Sequence, residues 1–178
     1  MMQAHPNGGG MVDDTAHVAT TAYVGKYAAV FGRARVLDNA RIEGFSIVED
    51  HALVCGDAIV KGDSRITEYA RISGNAKIVD GFINGRAKIF KHAYVSGFVS
   101  GNARVAGNSV VEGTVDGSAQ IWGNAKILNN AWVKGEAKVY EQAVVTSDAF
   151  VSGSTTVRGT ARVSNIRLEN GTYSGEVT

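Results

Sequence analysis

Aliphatic residues recur at every sixth position along most of this chain. A first run places Val or Ile at twelve successive steps from Val12 to Ile78, and a second run covers nine steps from Val115 to Val163. A surface helix repeats its apolar positions every three or four residues, so a six-residue period excludes a helix. Strands alternate their side chains between two faces, and the pattern therefore predicts short strands separated by regular bends.

The residues around each aliphatic position complete the repeat. A small residue, usually alanine, stands two positions before it, as at Ala76 and Ala125. Because alternate side chains share a face, the small and the aliphatic residue point inward and the residue between them points outward. Gly, Asn or Asp recurs two positions after it, as at Gly74 and Gly123, and these types accept the left-handed backbone of a corner. A strand and a corner repeated in this way wind a solenoid of parallel strands.

The pattern A-x-[VI]-x-G-[ND] resembles the hexapeptide-repeat proteins, whose fold is a left-handed parallel β-helix with three hexapeptides in each triangular coil. The resemblance covers about residues 12–163. It implies an all-β solenoid of about nine coils, and the left-handedness comes from the resemblance alone, because general sheet rules favour right-handed crossovers. The opening segment 5–10 also resembles the start of β-helix segments within larger bacterial proteins, which favours a non-enzymatic segment of that kind over the acyltransferase branch.

Composition and register divide the chain into three parts. With 23 Val and 11 Ile against four Leu, the composition favours strands, and the single proline suits a ladder in which nearly every N–H donates. We assign residues 1–11 to an N-terminal leader or cap, 12–164 to the β-helix and 165–178 to a C-terminal cap. In the last part Leu168, Tyr173 and Val177 are expected to close the core.

Counting strands in threes assigns each of them to one of three faces. Val12 begins face one, Val18 begins face two and Val24 begins face three. The steps shorter than six residues all join face three to face one, namely Ile78 to Ile83, Val95 to Val99, Val111 to Val115 and Val163 to Leu168. The tightened corner is either a drifted corner without a role or a pinch that shapes a groove for a ligand or partner.

Face two combines a basic outward column with an aromatic one, and neither column contains a carboxylate. Basic side chains would bind carboxylates or sulfates, and aromatic rings would offer flat platforms for sugar rings. The face therefore predicts a binding surface for an acidic polysaccharide, formed by Arg71, Lys88, Phe90, Arg104, Trp122, Lys138 and Tyr140. The alternative is that long basic side chains only keep a flat face soluble and free of aggregation.

Face one carries a second aromatic column, beside the tightened corner. Its members are Phe82, Phe98, Trp132 and Phe150. Contiguous apolar surface usually marks an interface. Since hexapeptide proteins commonly form trimers, burial in a homo-oligomer is the preferred interpretation. A sugar-binding platform and contact with a neighbouring domain of a longer parent chain are the alternatives.

The four histidines predict neither a catalytic site nor a metal site. His5 lies in the leader, His17 points outward on face two, and His51 and His92 fall at different corners. None has an evident acid or base partner, and a zinc site would need three converging ligands. We therefore predict no catalytic residue, no metal and no cofactor. An acyl-coenzyme A-dependent acyltransferase, which typically adds a long loop carrying a catalytic histidine, is one alternative function, and a structural spacer or oligomerisation stalk is another.

Charge and hydropathy narrow the partners further. A net charge of +1 argues against general nucleic-acid binding, and no apolar run approaches the length of a membrane span. The single Cys55 cannot form an internal disulfide, so the residues leave the compartment open. Polysaccharide binding favours an extracellular location, as part of a larger secreted bacterial protein.

Overall fold

The computed structural model describes residues 1–178 as an all-β chain of 31 short strands, β1 to β31. In chain order the strands are Met2–Ala4, Met11–Asp13, His17–Val18, Tyr23–Val24, Ala29–Val30, Arg35–Val36, Arg41–Ile42, Ile47–Val48, Leu53–Val54, Ile59–Lys61, Arg65–Ile66, Arg71–Ile72, Lys77–Val79, Phe82–Ile83, Lys88–Ile89, Tyr94–Val95, Phe98–Val99, Arg104–Val105, Val110–Val111, Thr114–Val115, Gln120–Ile121, Lys126–Ile127, Trp132–Val133, Lys138–Val139, Val144–Thr146, Phe150–Val151, Thr156–Val157, Arg162–Ser164, Arg167–Leu168, Thr172–Tyr173 and Glu176–Val177. None of its segments forms a helix that is long and apolar enough to cross a bilayer.

Three parallel sheets make up the solenoid. Each consists of every third strand, running from β2 to β29 on face one, from β3 to β30 on face two and from β4 to β31 on face three. Successive strands of a sheet pair in register, so that Val48 lies beside Ile66 and Val54 beside Ile72. The predicted fold class and the assignment of strands to three faces are confirmed, with nine coils from β2 to β28 and a further strand on each face.

Valine, isoleucine and alanine fill the interior as predicted. They account for all but one member of a continuous cluster of 44 buried residues, the exception being Leu168. Ala70 and Ile72 are fully buried, while Arg71 between them is exposed. Burial of one such aliphatic side chain contributes about 1.5–3 kcal/mol. The core thus runs the length of the solenoid as stacked layers of similar side chains.

Backbone hydrogen bonds join each coil to the next through the corners as well as the strands. The N–H of Arg71 donates to the carbonyl of Ala87 at 2.9 Å, and the N–H of His92, at a corner, donates to Gly107 at 3.0 Å. Because the corners are bonded too, each outward position has a neighbour at the same place one coil away. Neighbouring strands lie about 4.8 Å apart, which sets the spacing of these columns.

The leader covers part of the N-terminal end. Strand β1 pairs antiparallel with β2, and Gly9 forms a bridge with Gly25. The N–H of Val24 donates to the carbonyl of Asn7 at 3.0 Å. The leader therefore protects the edges of face one and face three, whereas β3 on face two has no strand on its outer side.

Residues 165–178 continue the solenoid. They form β29, β30 and β31, each of which pairs in parallel with the last full coil. Leu168, Tyr173 and Val177 lie beside Val151, Val157 and Val163, respectively. The three residues expected to close the core thus extend the three inward columns by one position, and Tyr173 and Val177 remain half-buried.

The tightened corner lies where the sequence predicted it. Coil length falls from 18 residues between Val48 and Ile66 to 17 between Ile66 and Ile83, and to 16 between Ile83 and Val99. The shortened connections β13–β14, β16–β17 and β19–β20 all lead from face three to face one. Face two keeps an unbroken parallel ladder beside this change in coil length.

Close packing of the backbone explains the glycines in this corner. The N–H groups of Ser96 and Gly97 donate to the same carbonyl, that of Val111, at 2.8 and 3.2 Å. A Cβ at Gly97 would collide with the carbonyl oxygens of Glu112 and Gly113. Gly97 does not have a positive φ, so it is space rather than backbone conformation that requires glycine here.

We predict that Gly97→Ala lowers the free energy of unfolding by about 1–3 kcal/mol, because the added methyl group forces adjacent coils apart. The matched control is Gly25→Ala, at an untightened corner of the same edge, where the nearest atom would lie 3.4 Å from the new Cβ. Urea unfolding measures both changes. Equal losses in the two variants would contradict the steric explanation.

Candidate functional site

Three cations lie side by side on face two. Arg71, Lys88 and Arg104 occupy the same register position on β12, β15 and β18, and all three side chains are exposed. Like charges on neighbouring strands repel and destabilise a sheet modestly. The row is therefore a local cost to the fold that an anionic ligand would relieve.

The ion pairs of the protein lie away from this row. Those between side chains are Arg41–Glu43 on face three and Arg65–Glu49 and Arg167–Glu169 on face one. The remaining pairs join the N-terminal amino group to Asp13 and Asp14. No basic residue of face two takes part in a salt bridge, so this face differs from the other two in the pairing of its cations as well as in their number.

A fourth cation joins the row from the neighbouring corner. Arg86 lines a hollow of 280 Å³ together with Tyr69, Arg71 and Lys88. Its guanidinium lies 5.8 Å from the centre of the Tyr69 ring, which also stacks on His51 at 5.0 Å. Sequence reasoning missed Arg86 and Tyr69 because it followed only the positions flanking the aliphatic residues. The signal was the corner column, in which His51, Tyr69 and Arg86 follow one another at one-coil intervals.

The aromatic residues of face two stack on one another. The rings of Trp122 and Tyr140 are 4.5 Å apart at their centres and inclined by only 3°. Since the two residues occupy equivalent places on successive coils, the rings stack along the solenoid axis and present their edges to solvent. This differs from the flat platforms that the sequence suggested, because Tyr140 covers one face of Trp122.

The other face of Trp122 borders a cleft. Phe90, Ala106 and Trp122 follow one another at one-coil intervals, and Ala106 is only 7% exposed. The cleft has a volume of 280 Å³ and is lined by Phe90, Lys91, Arg104, Ala106, Gln120, Ile121 and Trp122. It brings three predicted binding residues together, namely Phe90, Arg104 and Trp122.

Lys138 stands apart from the three stacked cations. Gln120 separates it from Arg104 in the column. Lys138 lines a polar hollow of 330 Å³ with Ser118, Gln120, Glu136, Ser154 and Thr156. The seven predicted residues thus form a cationic part around Lys88 and an aromatic part around Trp122, with Lys138 in a mixed polar surrounding.

The aromatic column of face one is divided into two pairs. Phe82 and Phe98 stack with their ring centres 5.3 Å apart. Trp132 and Phe150 meet edge to face at 5.4 Å, and Thr114 separates the two pairs. Aromatic pairs in either arrangement stabilise a sheet by themselves, which accounts for part of this column without a partner.

Cations cover the second of these pairs. The ammonium group of Lys134 lies 4.9 Å from the Trp132 ring and 5.0 Å from the Phe150 ring, and the Arg167 guanidinium lies 4.5 Å from Phe150. Even so, Trp132 remains 40% exposed. A homo-oligomer interface on face one stays a prediction.

The histidines lie in four separate places. His5 is buried in the leader, where its Nδ1 is 3.1 Å from the carbonyl oxygen of Asn7. His17 is exposed on β3, His51 stacks on Tyr69, and His92 is exposed at a corner. No group of three His, Cys, Asp or Glu side chains is placed to hold a metal ion.

Cys55 is half-buried on face two, in the same outward column as the aromatic residues. Burial raises the pKa of its thiol, and the nearby carboxylate of Asp38 raises it further. The positive charges of Arg71 and Arg35 act in the opposite direction on that pKa but do not outweigh burial. The thiol is therefore protonated at neutral pH and makes a slow nucleophile.

Comparison with known proteins places the architecture. Residues 98–113 match the family model of the YdcK β-solenoid repeat. The structure is similar to UDP-N-acetylglucosamine acyltransferase from Campylobacter jejuni, with a TM-score of 0.72 and 15% identity over 83% of this chain and 67% of that one. This chain has the hexapeptide-repeat β-helix fold. The left-handed winding implied by the repeat agrees with that superposition.

A second solved structure supports the same fold. This hexapeptide-repeat chain matches the UDP-N-acetylglucosamine acyltransferase of Francisella novicida with a TM-score of 0.70 and 15% identity, over 86% of its own length and 62% of that chain. A sequence search of curated proteins found no match. At this identity the similarity concerns the fold alone, and the outward side chains carry the argument about function.

We predict that alkylation of Cys55 by iodoacetamide has its pH midpoint above that of a free cysteine, because burial disfavours the thiolate. Asp38→Asn removes a negative charge and should lower the midpoint, and Arg71→Gln removes a positive charge and should raise it. Rates measured between pH 7 and 10 by mass spectrometry test this. Shifts of equal sign in the two variants would contradict the electrostatic explanation.

Proposed function

We propose that this protein is a non-catalytic module that binds an acidic polysaccharide on face two. The observation that carries the proposal is the row of exposed, unpaired cations formed by Arg71, Lys88 and Arg104. Hydrogen bonds between such cations and carboxylates or sulfates are about twice as strong as neutral ones. The row therefore offers its binding energy to anions specifically.

The spacing of the row suits a polymer better than a single small anion. Three cations at successive coils span about 9.6 Å along the axis, since adjacent strands are about 4.8 Å apart. The length of one pyranose unit is similar to one such step, so successive charged sugars can meet successive cations. A net charge of +1 gives no general attraction for nucleic acid, which leaves a local, periodic surface as the means of recognition.

Solubility alone is a weaker explanation of the same row. On faces one and three, Arg65 and Arg41 each have a carboxylate partner, although both faces are equally wet. A flat face can be kept soluble by charges of alternating sign, which would also avoid repulsion between strands. Three like charges without partners fit a surface that keeps its cations free for a ligand.

We predict that the protein is retarded in gels containing polygalacturonate or alginate and not in gels containing neutral dextran. Arg104→Ala should weaken the retardation about tenfold, as expected when one charge-assisted contact of about 1.5 kcal/mol is lost. The matched control is Arg162→Ala, which removes an exposed arginine from face three. Added salt should reduce the retardation of all three proteins.

Two results of affinity electrophoresis would overturn the proposal. Equal weakening by Arg104→Ala and Arg162→Ala would reduce the effect to net charge. Retardation by no acidic polymer would remove polysaccharide binding altogether and leave the spacer or oligomerisation stalk.

The similarity in fold to two acyltransferases supports a second candidate function, acyl transfer from acyl-coenzyme A. A protein with such a site is stabilised by about 2.7 kcal/mol when the ligand is present at 100 times its Kd. The binding-module proposal predicts no change in thermal unfolding with millimolar acetyl-coenzyme A. A saturable rise in Tm would favour the acyltransferase instead.

A further inference from the structure

The aromatic column of face two lacks one ring. On four successive coils it contains Phe90, Ala106, Trp122 and Tyr140. Trp122 and Tyr140 stack along the axis at 4.5 Å, close to the coil spacing, so each coil has room for one ring in the stack. Ala106 leaves such a place empty of side chain, between Phe90 on one side and the uncovered face of Trp122 on the other.

The width of this slot indicates the shape of a guest. The positions of Phe90 and Trp122 are two coils apart, or about 9.6 Å. Carbon atoms in contact are about 3.5–4.0 Å apart, so a flat aromatic guest between two rings needs only about 7–8 Å. The remaining space suits a puckered, saturated ring, and the C–H groups on both faces of a pyranose can pack against aromatic rings.

The polar groups around the slot indicate the charge of the guest. Arg104 lines it on the side of the basic row, and Lys91 and Gln120 also contribute. Arg104 has no ion-pair partner and is exposed, so its guanidinium is free to bind a carboxylate in bidentate geometry. An anionic pyranose would thus place its ring over Ala106 and its carboxylate on Arg104.

The orientation of the rings limits which sugar can enter. Because Trp122 and Tyr140 stack along the axis, a guest between Phe90 and Trp122 has its plane across the axis. A polysaccharide lying lengthwise on face two has its ring planes along the axis, so its internal units cannot enter the slot. The guest is therefore a unit with a free edge, at a chain end or a side branch.

We propose that the slot formed by Phe90, Ala106 and Trp122 is a subsite for one terminal or branching uronic-acid-type pyranose, held between the two rings with its carboxylate on Arg104. This inference rests on the proposed function of face two. It adds that recognition includes a chain end, whereas the row of Arg71 and Lys88 contacts the body of the polymer.

The decisive variant is Ala106→Phe, which fills the slot with the missing ring and leaves every charge in place. It should fold, because stacked phenylalanines already occur at equivalent outward positions of face one, in Phe82 and Phe98. The matched control is Ala19→Phe, in the same column but on the first coil. Thermal unfolding of both variants establishes that they are folded.

Tryptophan fluorescence provides the readout. The chain has two tryptophans, and Trp132→Phe leaves Trp122 as the sole reporter. In that background we add tetragalacturonate, with maltotetraose as the neutral counterpart and indole-3-acetate as a flat anion. Tetragalacturonate should change the Trp122 emission saturably, Ala106→Phe should weaken its binding about tenfold by removing both stacking contacts, and Ala19→Phe should leave it unchanged.

The outcomes separate this inference from the function on which it rests. If long polygalacturonate retards Ala106→Phe as it does the parent protein while the response to tetragalacturonate is lost, both proposals stand. If Ala106→Phe still binds tetragalacturonate like the parent, the subsite is wrong although polymer binding holds. A response to indole-3-acetate but not to tetragalacturonate overturns the puckered guest, and retardation by no acidic polymer overturns both proposals.

Discussion

The register of hydrogen bonds between coils is the constraint on which the rest of this structure depends. Each N–H bonded to the next coil fixes where that coil begins, at corners such as His92 as much as in strands such as β12. Inside, this register stacks aliphatic residues on aliphatic residues and excludes water. Outside, it makes every exposed residue a member of a column with a repeat of about 4.8 Å. Surface chemistry on this fold is therefore linear before it is anything else.

Linear columns magnify small choices of sequence. A cation every 16 or 17 residues becomes the row of Arg71, Lys88 and Arg104, and a ring at the same interval becomes the stack of Trp122 and Tyr140. The same geometry makes a single small residue conspicuous. Ala106 in an aromatic column opens a cleft that no change of backbone was needed to create. Binding sites on such a scaffold arise from omission as readily as from addition.

Periodicity predicted the three faces, the core and the position of the tightened corner, because each depends only on residue spacing. It could not predict how side chains turn about their own bonds, so it mistook the stacked edges of Trp122 and Tyr140 for flat platforms. Corner residues such as Tyr69 and Arg86 escaped because no aliphatic marker accompanies them. Handedness also lay beyond the residues, since the spacing is the same for either winding, and it came from resemblance to known proteins.

Coils of 16, 17 and 18 residues coexist in this solenoid, and the corner between face three and face one absorbs the difference. The ladder of face two continues past that corner in register, through Arg71, Lys88 and Arg104. The corner thus acts as a length buffer, which uncouples changes in chain length from the opposite surface. For protein engineering, it marks the edge at which a foreign peptide can be displayed at intervals of one coil while the face across the prism keeps its geometry.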